Sequence, residues 1–573
     1  MKKHSLLVLS LGSIILLSSC MNVIHGSVRS SSDEGSSADS STSSNSSSSN
    51  SDKQSSESSS SKGEGSSSSS ASRSDGEWNT NYSDSNVDFN YEANKNVKLT
   101  DLDINTPTTG TQPVLVIPVT FTDKTFSDTE LEEIKSLCGG TAEDTNYWES
   151  LGSFYEKSSY GKLKLDFTYM DPVSMDVSAQ TFYNSYGKKQ TDSNAGKPAA
   201  VAMKKAIKAY KKANSDSSTK KFDTDGDGYI DSVIMIYAET YTPSYDKTST
   251  YWAYRYWDVY SDNYVYEGDF PDASTSSPVG CSYFWASLDF FYEGTGTRKS
   301  HTGIDSHTLI HEFGHMLGAD DYYNSDDNGT KEVTGGKIMM AYNVLDHDAF
   351  NKLQYNWVKP HYVHGSAEVT ISSFESSGDC ILIADPDGWN GTAFDEYVLI
   401  ELFTPTGLNE LDSETVYPGR ASMGQTGYDE AGVRMWHVDN RLAKVSSSTG
   451  KATSYYSDSD VTDGKLYTDS YYPYVACGNG EDKDLEVCSG KGYDSLSLIS
   501  AKGSSFTTSN FSKDSDLFHE GDEFSLIDSS VSNKYTKYFA NSNHLNNGNE
   551  LNYKVEVTSL SSSSATIRIT EHN

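Results

Sequence analysis

With 573 residues the chain is too long for one small core, so more than one folded region plus unstructured sequence is the expectation. Its 45 basic against 81 acidic side chains leave a formal charge of −36. Such a surface repels nucleic-acid phosphates and anionic lipid headgroups, which excludes DNA, RNA and electrostatic membrane attachment as its business.

The chain opens with two lysines, an apolar run from Leu6 to Leu17, and Leu17-Ser18-Ser19-Cys20. The run is too short to span a bilayer and has the form of a secretory signal. Leu-Ser-Ser-Cys resembles the lipobox of bacterial lipoproteins, so residues 1–20 read as a lipoprotein signal peptide and Cys20 as the lipidated residue. The expected location is extracellular, anchored to the cell envelope through that lipid alone. Residues 21–76 are dominated by serine and cannot bury enough apolar surface to offset chain entropy; they read as a disordered linker. A random coil of that length spans about 40 Å, enough to hold a domain clear of a membrane.

Residues 77–110 are polar and without period, either a prosegment or an extended lead-in. Ordered structure is expected to begin at Val114-Leu115-Val116-Ile117-Pro118-Val119, a β-branched run that reads as a buried strand. Helices are expected around Thr129 to Leu137 and Trp148 to Tyr160, followed by a strand near Leu163 to Phe167. A longer helix runs from Pro198, with Ala202, Ala206, Tyr210 and Ala213 on one face and lysines opposite.

Next comes Asp223-Thr224-Asp225-Gly226-Asp227-Gly228-Tyr229-Ile230-Asp231, with carboxylates at alternate positions and glycine at the sixth, as calcium-binding loops require. Asp223, Asp225, Asp227 and Asp231 are therefore candidate calcium ligands. The twelfth position is Ile234 rather than glutamate, so a further ligand would come from elsewhere; the alternative is a turn stabilised by its own aspartates that feeds a strand at Val233 to Tyr237.

The segment His311-Glu312-Phe313-Gly314-His315 carries the strongest signal. At 3.6 residues per turn its histidines share a helix face and can bind one zinc ion, and Glu312 is placed as general base for water activation. The bare pattern arises by chance in roughly one or two of a hundred such chains; adding Gly318 and Asp321 at their offsets reduces that to about one in ten thousand. Gly318 suits the left-handed turn that ends a helix, after which Asp321 can return as third ligand, with Asp320 the competitor.

From residue 361 onward short β-branched and aromatic runs alternate with turn residues, among them Tyr397 to Ile400, Val433 to Trp436, Tyr553 to Thr558 and Ala565 to Thr570. The expected fold class is α+β: residues 111–360 form a mixed sheet with helices and the metal site on a long helix, and residues 361–573 a β-sandwich-like region. Residues 445–515 look like long insertions in it. Beyond Cys20 five cysteines remain, an odd number; Cys477 and Cys488 are close enough to close a loop, but connectivity is not readable from spacing.

HEFGHMLGADDYY resembles the zinc motif of the immune inhibitor A peptidases, within the metzincin clan. PVLVIPVTFTD, FYEKSSYGKL, the aspartate loop, FDEYVLIE and GVRMWHVDN are also similar to passages of that family, so the resemblance covers roughly residues 111 to 445. It implies a metzincin-like catalytic domain with a methionine turn beneath the metal, for which Met340 is the candidate and Met339 the alternative. It further implies that Tyr342, in Met340-Ala341-Tyr342, assists Glu312 by stabilising the oxyanion. Asp320 stands where relatives often have proline, which leaves Asp320 and Asp321 in competition. The expected function is a monomeric cell-surface zinc endopeptidase acting on extracellular polypeptides, with calcium as a second ion. The competing expectations are a surface adhesin or glycan-binding lipoprotein whose protease-like domain is inactive, and a zinc hydrolase of non-peptide substrates.

Overall fold

The computed structural model describes residues 81–84, 87, 105–141, 149–187, 197–240, 251–257, 274–292, 296–324, 331–415, 426–480 and 484–572. The signal segment, Cys20 and the serine tract lie outside these, as does most of 77–110. No helix among the described residues is long and apolar enough to cross a membrane.

A short strand, Tyr82–Asp84 (β1), is followed by Gly110–Thr120 (β2), the expected apolar run extended at both ends. Two helices with serine caps follow, Asp128–Gly139 (α1) and Leu151–Ser158 (α2). At the first, Ser127 and Glu130 satisfy each other's backbone N–H groups, the reciprocal arrangement that fixes where a helix starts. Leu163–Tyr169 (β3) returns parallel to β2. The lysine-rich helix spans Lys197–Asn214 (α3), with Pro198 in its first turn and Ala199, Ala202, Met203 and Ala206 buried. Val233–Tyr237 (β4), Tyr254–Trp257 (β5) and Ser282–Ser287 (β6) complete a sheet in the order β3-β2-β4-β6-β5. Its neighbours pair in parallel except for β5, which runs antiparallel to β6 at the edge.

The motif helix is His307–Met316 (α4). After it come a single helical turn, Met339–Tyr342 (α5), and Ala349–Gln354 (α6), capped by Asp348. Then follow His361–Val363 (β7), Ala367–Ser372 (β8), Cys380–Ile383 (β9), Glu396–Phe403 (β10), Gly432–Asp439 (β11), Leu496–Ile499 (β12), Glu523–Ser525 (β13), Tyr553–Leu560 (β14) and Ser564–Glu571 (β15). They make two sheets, ordered β1-β7-β9-β10-β11-β12 and β8-β15-β14-β13. The molecule is thus mixed α+β.

The first of these two sheets is covered on both faces. Ile381, Val398, Ile400, Met435 and Ile499 join Val369, Val555, Ile567 and Ile569 of the other sheet in one apolar cluster. The alternate residues Leu382, Leu399, Trp436, Leu496 and Leu498 join a cluster that contains Leu309, Phe313 and Met340. That double burial explains why every residue of β10 and β11 is buried rather than alternate ones, with charged residues paired between the strands, Glu401 with Arg434 at 2.7 Å and Glu396 with His437 at 2.8 Å. It also carries one core across the 360/361 boundary.

Residues 445–515 are more than insertions. They include β12, an inner-layer strand whose four residues are all buried, and two strands, Ala452–Tyr455 and Tyr471–Val475, that flank Leu442–Ser446. Leu-Ser-Leu-Ile among serines and aspartates is too short a run to stand out from turn sequence. A disulfide links Cys477 to Cys488, and Cys138, Cys281 and Cys380 are buried.

Candidate metal centre

Helix α4 is fixed by side chains from three other elements. Tyr155 of α2 donates to the Ile310 carbonyl at 2.7 Å and Tyr355, just after α6, to the Gly314 carbonyl at 3.1 Å. Beneath Gly314 lies Met340: a Cβ at that glycine would overlap Met340 Sδ, so a side chain of zero size lets the α5 turn pack against the helix. Ahead of the motif, His307 is buried between Asp305, 2.7 Å from its Nδ1, and Asp412, 3.3 Å from its Nε2. Burial opposes a charge there, but the two carboxylates raise the imidazole pKa to about 9.

Gly318 takes φ +105, the left-handed conformation that turns the chain after the helix. Gln354 donates to its carbonyl at 2.9 Å. The turn brings Asp321 back so that one oxygen, Oδ1, lies 3.1 Å from His311 Nε2 and 3.2 Å from His315 Nε2. Donor atoms of the three side chains all fall within 4.8 Å of one another. Asp320 stands outside this group; its Oδ1 accepts the Asp321 backbone N–H at 2.8 Å.

The other nitrogen of each imidazole faces a carbonyl. His311 Nδ1 lies 2.9 Å from Met339 O, and His315 Nδ1 lies 2.9 Å from Ala319 O. A carbonyl only accepts, so Nδ1 carries the hydrogen in both rings and, in neutral rings, both Nε2 lone pairs point at a carboxylate oxygen. Three electron-rich atoms so close together require a cation or a proton among them. The same field acts on His315: burial opposes its proton, yet Asp321, followed by Glu312 and the Ala319 carbonyl, holds its pKa up to about 9. Histidine Nδ1–H on a backbone carbonyl is also the arrangement that orients imidazoles at metal sites. The donor set therefore fits a divalent ion of intermediate softness, for which two imidazoles and one carboxylate suffice as protein ligands.

Glu312 is buried beside the cluster, and its Oε2 accepts the Arg255 backbone N–H at 3.0 Å. Arg255 lies on β5, the outermost strand of this sheet among the described residues. Sequence reasoning missed Tyr323, whose hydroxyl donates to Asp321 Oδ2 at 3.0 Å and leaves Oδ1 to the histidines. Its position two residues after a candidate ligand was the only available hint. Tyr342 is buried, its ring edge-on to Phe511 at 4.9 Å and to Tyr323 at 6.5 Å.

The four aspartates of the other loop also converge, their donor atoms within 4.8 Å. Gly226 and Gly228 have φ of +80 and +92, and Asp223 accepts from both of their N–H groups. Asp231 is buried; burial, reinforced by Asp225 and Asp227 against two bonds from Thr224, raises its carboxyl pKa to about 7. Ile234, at the twelfth position, is buried in β4. Compared with models of known protein families and with the sequences of curated proteins, the chain matches none.

Proposed function

We propose that this chain is a zinc-dependent endopeptidase, similar in its site to the immune inhibitor A peptidases of the metzincin clan, and displayed outside a bacterial cell on a lipid at Cys20. The reading rests on one observation: His311, His315 and Asp321 aim three donor atoms at a common point while Nδ1 of each ring is engaged elsewhere. The β-sandwich reading of the C-terminal region draws its support from the core that the β7–β12 and β8–β15 sheets share. In this reading the chain acts as a monomer on extended polypeptides.

His311, His315 and Asp321 would hold the zinc ion, which would supply Lewis-acid chemistry for hydrolysis of a peptide bond. Glu312 takes the proton from the attacking water and delivers it to the leaving amine. Its burial keeps bulk water from competing for that proton. Met340 supports the helix from below, and Tyr342 has the oxyanion-assisting role that the resemblance implies. In this reading an unfolded polypeptide lies as an added strand along β5, the outermost strand of its sheet among the described residues, which is tied to Glu312 through the Arg255 N–H. Calcium is the ion proposed for Asp223, Asp225, Asp227 and Asp231, in a structural role.

Digestion of an unfolded protein such as casein tests the reading. A chelator abolishes cleavage, and added zinc restores it. Cleavage that persists in metal-free protein would sink the proposal.

A further inference from the structure

Asp321 reaches the histidines from a segment outside the helix, so its position depends on what holds residues 321–323. Two backbone contacts at Tyr322 do so. Its N–H donates to Met340 O at 2.9 Å, tying it to the α5 turn. Its carbonyl accepts from Asn479 Nδ2 at 2.8 Å, across 157 residues of sequence.

Asn479 is buried and uses its whole amide. Nδ2 also donates to Leu496 O at 2.8 Å, while Oδ1 accepts from Leu496 N at 3.1 Å and Ser495 Oγ at 3.0 Å. One side chain thus clamps the start of β12 to the residue between Asp321 and Tyr323. Asn479 in turn lies inside the loop closed by Cys477 and Cys488, only two residues from the first sulfur. Within that loop the Gly478 N–H donates to Asp484 and the Leu485 N–H to Ala476 O. A residue with four buried hydrogen bonds, on a covalently closed loop, is a rigid support in the sense that metal ligands need.

We infer that Asn479 is a positioning residue for the metal centre: it sets the Asp321–Tyr323 segment through the Tyr322 carbonyl, and the Cys477–Cys488 disulfide holds it in place. The third ligand thereby depends on the C-terminal region, although every ligand lies on the N-terminal side of residue 361. This inference rests on the metal-binding reading of His311, His315 and Asp321.

The test compares zinc affinity, by competition with a chromophoric chelator, and the visible absorption of the cobalt-substituted protein. The proteins are the parent, Asn479→Ala, the Cys477→Ser/Cys488→Ser double variant and Asn440→Ala. Asn440 is a buried asparagine of the same region that instead donates to the Ala393 carbonyl, and so controls for general loss of stability. Asn479→Ala is expected to raise the zinc Kd by about tenfold and to shift the cobalt bands, since outer partners of metal ligands carry effects of that order. The double serine variant moves both readouts in the same direction, and Asn440→Ala moves neither at equal loss of Tm. If Asn479→Ala is not recovered folded, the double serine variant decides. Variants with the parent's Kd and spectrum overturn the inference alone, whereas a parent that takes up neither zinc nor cobalt overturns the metal-site reading on which it rests.

Discussion

Asp320 and Asp321 show what spacing leaves open and backbone geometry decides. Both follow the glycine turn within one residue of each other, and composition treats them alike. The φ of Gly318 and the contact from Gln354 direct the chain so that Asp321 meets both Nε2 atoms, while Asp320 folds back on the Asp321 N–H. Replacing Asp321 by Ala should remove stoichiometric zinc, and replacing Asp320 by Ala should leave it, with bound metal measured by atomic absorption after gel filtration. The histidines and Glu312 were legible because helical period alone puts them on one side of α4. Tyr323, His307 and Asn479 were not. Their roles come from partners 105 to 157 residues away, or from a turn whose direction no local rule supplies.

Among the elements, the aspartate loop makes the clearest pH statement. Asp231 has a folded pKa of about 7, above that of an unfolded carboxyl, because burial and two neighbouring aspartates disfavour its charge. Without a cation its contribution to stability is therefore fully present below the unfolded pKa, near 4, and is lost as pH rises through about 7. If the loop holds calcium as proposed, the ion competes with that proton. The increase in Tm on adding calcium should accordingly be small at acidic pH and larger above neutrality, and Asp231→Asn should flatten the difference. A calcium shift that is equal at both ends of this window would contradict the proton linkage. The strands β2 and β4 and helices α1 to α3 were legible near their observed bounds, since each pairs a clear apolar pattern with a cap or flanking turn. β12 was hidden because four residues carry no period.

At the scale of the molecule, the sequence suggested a catalytic part to residue 360 and a β-rich part beyond it, from a change in pattern rather than from any linker. Side-chain alternation in β9 to β12 places Leu382, Leu399, Trp436, Leu496 and Leu498 in the cluster that supports α4. Such sharing cannot be read without knowing that the strands form a middle layer. Each large apolar side chain uncovered costs about 1.5–3 kcal/mol, so exposing these five approaches the 5–15 kcal/mol that typically stabilises a whole domain. Contacts such as Tyr160 Oη to Phe374 O, at 2.6 Å, cross the same boundary. Residues 77–360 expressed alone should therefore show no cooperative thermal transition by near-ultraviolet circular dichroism, whereas residues 77–573 should show one.

In the proposed mechanism His311, His315 and Asp321 hold the ion and Glu312 moves the proton. It is tested most directly by Glu312→Gln, with zinc content and peptide turnover measured on the same preparation. The substitution keeps the side chain's size and its oxygen facing the Arg255 N–H, but removes the base. One zinc ion per chain, as in the parent, and a fall in kcat of about 10²–10⁴-fold are expected. Turnover at the parental rate with zinc in place would contradict this mechanism.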